Sequence, residues 1–534
     1  MVFTLHRYIF RELMKIFILA VVALSMMTSL ASILQPIQEF GAAPIQVLHL
    51  VWYFFPVTLT FILPMAALFA CSMVYGRFAS DNELDACRAS GVSLLTLVYP
   101  GLVLAIIVAM ANLLLSFYVM PAFVQKAETS LKADAQQIIF RNIKRKGYYT
   151  LPPDKKVHIY ADYADEENSI LTGVIITELG EGRIGRIITA KTAKINFIIH
   201  DRFNEVEITA YDTHQMGFQG EGGFSTERLA LSSEFGSLVA DDIMFKKIDE
   251  MKNIQANPML FYPVEKLARQ AFGQLITEML AEDITDAANK DPNAFYRIRC
   301  GEDSVRFRAT NCKARTNPQM RDEKKIELTG DVVVIDGTRK PARTLKCKRA
   351  TLHFEGDELA PTLTMELYNA RWIQGGISAL TQRHVIRGLI LPSTILNKFK
   401  DDNVLNNINL ASTVLKNEPS GKLQGIQAIL KSKIQKTFIA ITAEIHSRLV
   451  FGIGCVTMIL IGIGLGIIKK EGHMLAAFGI SSVPAAILVI CMISGKNVAK
   501  NPGSSTMTGL ILIWSGLAFL TVVTIVIYRK LLKN

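Results

Sequence analysis

Residues 92–120, VSLLTLVYPGLVLAIIVAMANLLLSFYVM, form a run of 29 residues that contains no Asp, Glu, Lys or Arg. A helix that crosses the hydrocarbon core of a bilayer needs about 20 predominantly apolar residues. Five further uncharged runs meet this requirement: 16–34, 50–75, 449–468, 474–494 and 507–528. The sequence therefore predicts an α-helical membrane protein with six transmembrane helices.

The six runs are split three and three around a long polar segment, residues 121–448. The chain of 534 residues is 50% hydrophobic and 20% charged, averages that fit neither a soluble enzyme nor a pure membrane bundle. Lys and Arg near the ends of spans mark the cytoplasmic side, whereas the short segment 35–49 has none and 495–506 has only Lys496 and Lys500. The other basic residues that flank the spans share one side if both termini are cytoplasmic: Arg7, Arg11, Lys15, Arg77, Arg88, Lys469, Lys470, Arg529, Lys530 and Lys533. We therefore expect both termini in the cytoplasm and residues 121–448 outside.

The first uncharged run allows a second interpretation. A basic start, an apolar run and Ser29-Leu30-Ala31 are also typical of a cleavable signal peptide. The run is longer than a normal signal core, and an amphipathic stretch precedes it. Its apolar face consists of Leu5, Tyr8, Ile9, Leu13 and Ile16. We therefore favour a helix that lies on the inner membrane surface before it turns into the first span.

The external segment begins with short strands. Alternating polarity and intervening Gly, Asp and Asn clusters indicate strands at 157–161, 173–178, 186–190 and 206–210. This pattern predicts a β-sandwich or half-open roll. Helical spacing follows over residues 259–290, and a second strand group, 325–372, turns at Asp336-Gly337.

These changes in pattern divide the chain into four parts. They are residues 1–120 with the first three spans, 121–255 with the first strands, 256–443 with the mixed α/β region, and 444–534 with the last three spans.

Seven cysteines are present. Four lie in or beside the spans, where packing is their expected role: Cys71, Cys87, Cys455 and Cys491. Cys300, Cys312 and Cys347 lie in the external segment, where oxidising conditions permit a disulfide. We predict a Cys300–Cys312 bridge with Cys347 unpaired.

No motif in the chain predicts catalysis. There is no GxxxxGK[ST] phosphate loop, no GxSxG motif and no paired-Cys zinc motif. Glu444-Ile445-His446-Ser447-Arg448 lacks the second His of a zinc-binding HExxH helix. We therefore expect neither a bound metal nor a cofactor. The net charge of +11 is a feature of nucleic-acid-binding proteins too, but its concentration beside the spans favours anionic lipid.

Two polar segments border the membrane spans. Residues 77–93, RFASDNELDACRASGVS, predict a short cytoplasmic helix that ends at Gly91, as helix caps prefer. It is either a solvated loop helix or a lever that docks into a cytoplasmic partner. Glu444, His446 and Arg448 lie at the outer end of the fourth span, where anchoring at the membrane interface is the simplest role.

Inside the spans, two features favour ordinary membrane packing. Gly462-x-Gly464-x-Gly466 is typical of closely packed helices, and Asn112 is suited to a hydrogen bond between helices.

The string Asn82-Glu-Leu-Asp-Ala-Cys-Arg-Ala-Ser-Gly-Val-Ser93 resembles the cytoplasmic coupling-helix signature of the LptF/LptG (YjgP/YjgQ) lipopolysaccharide export permeases. Residues 8–12, 187–191 and 444–448 resemble the amphipathic start, a jellyroll strand and the polar entry to the fourth span of that family. The resemblance covers residues 1–250 and 430–534, and the three-plus-three division of spans agrees with it.

The resemblance implies a transport subunit rather than an enzyme. Such permeases pair as two halves above a cytoplasmic ATPase dimer, extract lipopolysaccharide from the bacterial inner membrane and pass it through a periplasmic jellyroll to a periplasmic bridge. By this resemblance Glu83, Leu84, Arg88 and Gly91 belong to the ATPase contact. Lipid enters between the first and fifth spans, and ATP is used by the partner subunit.

Three cations just beyond the third span, Lys126, Lys132 and Arg141, are candidates for binding the phosphates of the lipid. The external domain is longer than a single jellyroll, with the excess at about 255–430. Two roles remain open for the excess: extending the lipid path, or binding another periplasmic protein.

Two alternative functions remain open at this stage. One is a membrane-anchored periplasmic binding or scaffold protein, and the other is an ABC permease for another lipid or lipoprotein. Also open are which of the two paralogues this is and whether the partner half is a second copy.

Overall fold

The uncharged runs and the strand patterns fold into separate helical and β-rich parts. The computed structural model describes residues 2–40, 44–133, 135–151, 157–166, 168–179, 184–199, 204–217, 224–235, 242–291, 293–315, 325–338, 342–355, 362–374, 377–399, 404–468, 474–501 and 505–533. The chain forms two compact units: Met1–Asn257 with Lys436–Asn534, and Pro258–Gln435.

Fourteen α-helices are present in the described residues. They are α1 Val2–Phe40, α2 Pro44–Ser80, α3 Glu83–Ala89, α4 Leu94–Leu114, α5 Met120–Ala133, α6 Ala135–Lys146, α7 Ile248–Ala256, α8 Tyr262–Lys290, α9 Ser393–Leu396, α10 Val404–Asn409, α11 Ala411–Val414, α12 Gly421–Ile468, α13 Met474–Lys500 and α14 Thr506–Lys533. A π-helical turn, Leu115–Val119, joins α4 to α5, and short 3-10 turns lie at Ile243–Phe245 and Pro258–Leu260.

Thirteen β-strands are described. They are β1 Tyr148–Thr150, β2 Val157–Asp165, β3 Ile170–Leu179, β4 Ile184–Ile199, β5 Asn204–Gly217, β6 Phe224–Phe235, β7 Tyr296–Cys300, β8 Asp303–Arg308, β9 Asn311–Arg315, β10 Lys325–Asp336, β11 Arg343–Glu355, β12 Thr362–Gln374 and β13 Ile377–Ile390.

Five helical segments among the described residues are long and apolar enough to cross a membrane: Val51–Ser80, Leu94–Ser130, Gly421–Ile468, Phe478–Lys500 and Thr506–Leu532. They overlap the last five predicted spans. The first predicted span, 16–34, forms part of α1, but its side chains from residue 29 onward lie outside the described part of the chain. The span at 16–34 therefore stays a prediction.

The helical core of the first unit depends on small residues along α12. A Cβ atom at Gly462 would lie 2.7 Å from a Leu68 methyl group, and one at Gly466 would lie 2.9 Å from the Ser72 carbonyl oxygen on α2. Gly464 faces the opposite neighbour and approaches Ile527 on α14. The glycine pattern of this helix therefore allows α2 and α14 to pack closely on two sides of it.

The first unit also contains a six-stranded antiparallel sheet. Its strands lie in chain order, β1-β2-β3-β4-β5-β6, which is a meander. The jellyroll connectivity implied by the family resemblance is not confirmed among the described strands, because each strand pairs with its neighbours in sequence. Side chains of α6, including Ile139, Phe140 and Ile143, pack with the apolar face of the sheet.

The second unit contains a closed barrel. Its strand order is β11-β12-β13-β7-β8-β10, and β10 pairs back to β11, so that six strands form a ring. β8 and β9 pair with successive parts of the same edge of β10. Thr310, between β8 and β9, faces Gly330. A side chain at position 330 is excluded by the φ of +102° and by the close approach of the threonine. Helical spacing over 259–290 correctly predicted α8, but closure of the second strand group was not predicted.

The predicted Cys300–Cys312 disulfide is absent from the structure, where both thiols are free. Cys300 on β7 donates to the Arg387 carbonyl oxygen, and Cys312 on β9 donates to that of Ala281. β8 and β9 lie end to end along one edge of β10, and Cys300 is paired with Asp303 at the start of β8, so Cys312 lies nine residues further along that edge. At about 3.3 Å per residue, this separation along the strands is far beyond the roughly 7 Å between Cα atoms that a disulfide tolerates.

Candidate functional site

The segment between α2 and α4 is a compact helical hairpin. α2 continues to Ser80, so the predicted helix at 77–93 is shorter than expected and comprises only α3, Glu83–Ala89. Acidic side chains occupy its first turn and Arg88 its last turn, an arrangement that the helix dipole favours. Glu83 and Arg88 are exposed, whereas Leu84 is 4% exposed. α3 therefore buries Leu84 and exposes charged side chains on its other faces.

Gly91 ends α3 in a Schellman motif. The Val92 amide donates to the Cys87 carbonyl oxygen at 3.1 Å, and the Gly91 amide donates to that of Arg88 at 2.9 Å. Gly91 has a φ of +84°, which a side chain would strain. This glycine is therefore required by the turn itself, which gives it a structural reason that the family resemblance did not supply.

Leu84 connects α3 to the core of the bundle. It belongs to the same buried cluster as Ile9, Leu13, Phe78 and Leu94. The predicted apolar face of residues 5–16 therefore packs on protein as well, and α1 runs as one helix from Val2 to Phe40 without the turn that we expected after it.

Polar contacts join the beginning of α1 to both helices that flank α3. His6 Nε2 lies 2.9 Å from the Thr96 carbonyl oxygen on α4. Arg77 at the end of α2 donates to Glu12 at 3.2 Å, and Lys15 donates to the same carboxylate at 2.7 Å. Hydrogen bonds from Lys15 and Arg77 hold the pKa of Glu12 below its usual value. α1, α2 and α4 are therefore held together beneath α3.

A buried arginine of α12 lies beside the other end of α4. Arg448 on α12 is 4% exposed and donates from all three guanidinium nitrogens. Its acceptors are Glu444 Oε1 at 3.1 Å and the carbonyl oxygens of Ser116 at 2.8 Å, Met244 at 2.7 Å and Lys246 at 3.3 Å. One side chain therefore joins α12, the π-helical turn after α4 and the segment that leads into α7.

The Ser116 carbonyl is available to Arg448 because of the local backbone. The amide of Met120 donates to Leu115 in the π-helical turn instead of to Ser116. The next residue, Pro121, has no amide hydrogen. A carbonyl left without a backbone donor inside a membrane-spanning helix needs another partner, and Arg448 supplies it.

Glu444 is the counterion of this centre. It is 8% exposed, and Lys496 on α13 donates to its second carboxylate oxygen at 3.3 Å. Glu444 and Arg448, four residues apart, share one face of α12. His446 lies elsewhere on that helix and accepts from Trp514 Nε1 on α14 at 3.3 Å. The three residues of the predicted motif therefore take part in two separate sets of contacts, one around Glu444 and Arg448 and one at His446.

The three candidate phosphate-binding cations have different surroundings. Lys126 on α5 is exposed, with its ammonium 5.5 Å from the Phe123 ring centre. Arg141 on α6 contacts Gln137 and Glu166, with its Nε 3.6 Å from the Glu166 carboxylate. The side chain of Lys132 lies outside the described residues.

Sequence reasoning missed the partners of the Arg448 centre. Lys496 carried a signal, because it is one of few cations on the side of the spans that was predicted to be external. Pro121 carried another, since a proline that closes an apolar run disturbs the helical hydrogen bonds. Neither signal identifies Arg448 as the common partner.

Comparison with known proteins identifies a family. No curated protein matches the chain. The family model described as lipopolysaccharide export system permease LptF/LptG matches residues 7–230 and 268–530. The second range includes most of the region that we expected to be additional. Both ranges together take in α3, Arg448 and Glu444, whereas Met244 and Lys246 lie between the two matched ranges. The chain therefore belongs to the LptF/LptG family of lipopolysaccharide export system permeases.

Proposed function

We propose that this chain is one permease half of an ABC transporter that extracts lipopolysaccharide from the inner membrane and passes it to a periplasmic bridge. The observation that carries the proposal is α3, a surface helix that ends at Gly91 and is anchored through Leu84 between two long apolar helices. Membership of the LptF/LptG family supports the class of cargo. ATP hydrolysis then belongs to a cytoplasmic ATPase dimer, and the second half of the transporter is a paralogue or a second copy.

α3 is built to transmit force. Two residues connect it to α2 and four connect it to α4, so a displacement of α3 acts on both helices. Leu84 anchors it to the core, while Glu83, Arg88 and Ser90 remain exposed for a partner. In this proposal both termini are cytoplasmic, as the distribution of basic residues predicts.

The Arg448 centre provides a second link in the same unit. β6 ends at Phe235, and the carbonyl groups bound by Arg448 lie in the segment that precedes α7. Because Glu444, Ser116, Met244 and Lys246 meet on one guanidinium, movement of α12 is transmitted to the chain that leaves the sheet. We infer that this centre couples the spans to the periplasmic sheet.

The open face of the six-stranded sheet is suited to acyl chains. Tyr160 and Ile175, which are paired across β2 and β3, are 40% and 42% exposed, and Met216 on β5 is 60% exposed. These side chains lie on the face opposite the buried cluster that packs with α6. We propose that the lipid leaves the membrane along this face, after entering between the first and fifth spans.

The coupling proposal is tested by reversing charge on α3. We expect the double variant Glu83→Arg with Arg88→Glu to lose the ATPase subunit when tagged permease is purified from membranes, because both charges face outward. Glu302→Arg, an exposed acidic position in the second unit, is the matched control and should retain it. Equal recovery of the ATPase with the double variant, with Glu302→Arg and with the unmodified chain would exclude α3 as the contact.

The cargo is tested separately with a photoreactive residue at position 175 and, as the control, at position 302. We expect ATP-dependent cross-links to lipopolysaccharide at 175 alone. Cross-links at both positions or at neither would contradict the proposed lipid path, whatever the result for α3.

A further inference from the structure

An apolar groove lies between three spans next to the α3 hairpin. Its volume is about 430 Å³. It is lined by Leu95, Val98, Tyr99 and Leu102 of α4, Leu460 of α12, and Thr524, Ile525 and Tyr528 of α14. Leu95, Tyr99 and Ile525 are 60%, 54% and 50% exposed. The groove is thus built from the first turns of α4 and the last turns of α14.

Two tyrosine side chains of the groove are held in place by contacts with neighbouring helices. Tyr528 donates to the Leu460 carbonyl oxygen at 3.3 Å, which fixes its ring between α14 and α12. The rings of Tyr99 and His6 lie 5.4 Å apart, and His6 in turn contacts the Thr96 carbonyl. These contacts hold both tyrosine rings in place without filling the space between α4 and α14.

Two cations lie at one end of the groove. Arg529 follows Ile525 by four residues and therefore lies one turn further along the same face of α14, and Lys530 is its neighbour. Both are exposed. Within the part of the chain that the structure describes, neither has an acidic partner. An apolar groove with two exposed cations at one end is complementary to a molecule with an acyl chain and an anionic headgroup.

We propose that this groove binds one anionic glycerophospholipid, with an acyl chain along Leu95, Leu102 and Ile525 and its phosphate at Arg529 and Lys530. Basic pockets between membrane helices on the cytoplasmic side bind such headgroups. In the orientation proposed above, the lipid belongs to the inner leaflet. It is distinct from the transported lipid, and it braces α4 against α14 directly beside α3.

Native mass spectrometry of the full-length chain in detergent tests this site. Delipidated protein is titrated with phosphatidylglycerol and, separately, with phosphatidylcholine of the same acyl chains. Each basic residue near a headgroup contributes about five-fold in affinity, so two residues predict roughly a 25-fold preference for phosphatidylglycerol. We expect Arg529→Gln with Lys530→Gln to abolish this preference while leaving binding of phosphatidylcholine unchanged.

Groove-filling variants test the acyl chain. Leu102→Trp should reduce binding of both lipids, and Leu95→Trp, at a more exposed position, repeats the test if the first variant unfolds. Ile490→Trp, on an exposed face of α13, is the control and should bind like the unmodified chain. Equal affinity for the two lipids, or unchanged binding in both tryptophan variants of the groove, would overturn the proposal.

Discussion

Arg448 shows how one residue at the end of a span organises its surroundings. A charged side chain at membrane depth is costly and normally faces the protein interior. Here the guanidinium is offset by Glu444 and by backbone carbonyl groups from two other segments. Anchoring at the membrane interface, the simplest prediction for this motif, does not account for this network of contacts.

Removal of the Arg448 guanidinium should destabilise the first unit strongly. In Arg448→Met, Glu444 loses one of its two cations and the Ser116 carbonyl loses its donor. Breaking a buried pair in this way costs about 3–5 kcal/mol. We expect a clear fall in the thermal unfolding midpoint of the purified protein in detergent.

Two variants serve as controls for Arg448. His446→Ala removes one contact with Trp514 and should cost only about 1 kcal/mol. Arg448→Lys keeps the charge but not the planar fork of donors, so an intermediate midpoint is expected. A midpoint for Arg448→Met equal to that of the unmodified protein would show that the contacts of the guanidinium contribute nothing.

At the scale of elements, α3 and α12 differ in what determines them. The end of α3 and the start of α4 follow from neighbouring residues, because Gly91 supplies the left-handed turn and Ser93 accepts from the Thr96 amide. The glycines of α12 do not act locally. Gly466 has a role only because α2 passes within contact distance of it.

Gly466→Ala is therefore expected to separate α12 from α2. The new methyl group would lie 2.9 Å from the Ser72 carbonyl oxygen and 3.1 Å from the Gly76 amide nitrogen, and backbone atoms cannot turn away as a side chain can. Overpacking of this kind costs roughly 1–3 kcal/mol. The thermal unfolding midpoint should fall accordingly.

Gly479→Ala on α13 is the matched control. A Cβ atom at position 479 would meet no other atom within 4 Å, and alanine is the better helix former by about 1 kcal/mol. The control should be neutral or slightly stabilising. If both variants changed stability equally, the close approach of α12 and α2 would not be the reason for glycine at position 466.

For the molecule as a whole, strand order decides chemistry that spacing in the sequence does not. Cys300 and Cys312 are close in sequence, but the pairing of Cys300 with Asp303 leaves Cys312 nine residues further along the edge of β10 that β8 and β9 share. We expect alkylation of the unreduced, denatured chain to modify seven thiols. Modification of only five would show a disulfide, and a disulfide between Cys300 and Cys312 would contradict the strand pairing of the barrel.

Part of the candidate site was predictable from the sequence. Gly91 was identified as a helix end, since capping rules act over a few residues, whereas Glu83, Leu84 and Arg88 were implied only by the family resemblance. The partners of Arg448 were not identified, because Ser116 and Met244 are more than 200 residues away from it. Asn112, for which a hydrogen bond between helices was predicted, donates to the Thr60 carbonyl oxygen, but the sequence alone did not select that partner.

The sequence by itself determined the five apolar segments that the structure describes as long enough to span a membrane, the turn at Gly91 that ends α3, and the separation of helical from β-rich regions. Hydropathy, capping and alternation depend on nearby residues, so they can be recognised without a fold. Tertiary structure alone decided the closure of β10 onto β11, the meander order of the first sheet, and the meeting of Glu444, Arg448 and Lys496. These features join distant parts of the chain, and many pairings are compatible with the same local pattern until the core is packed.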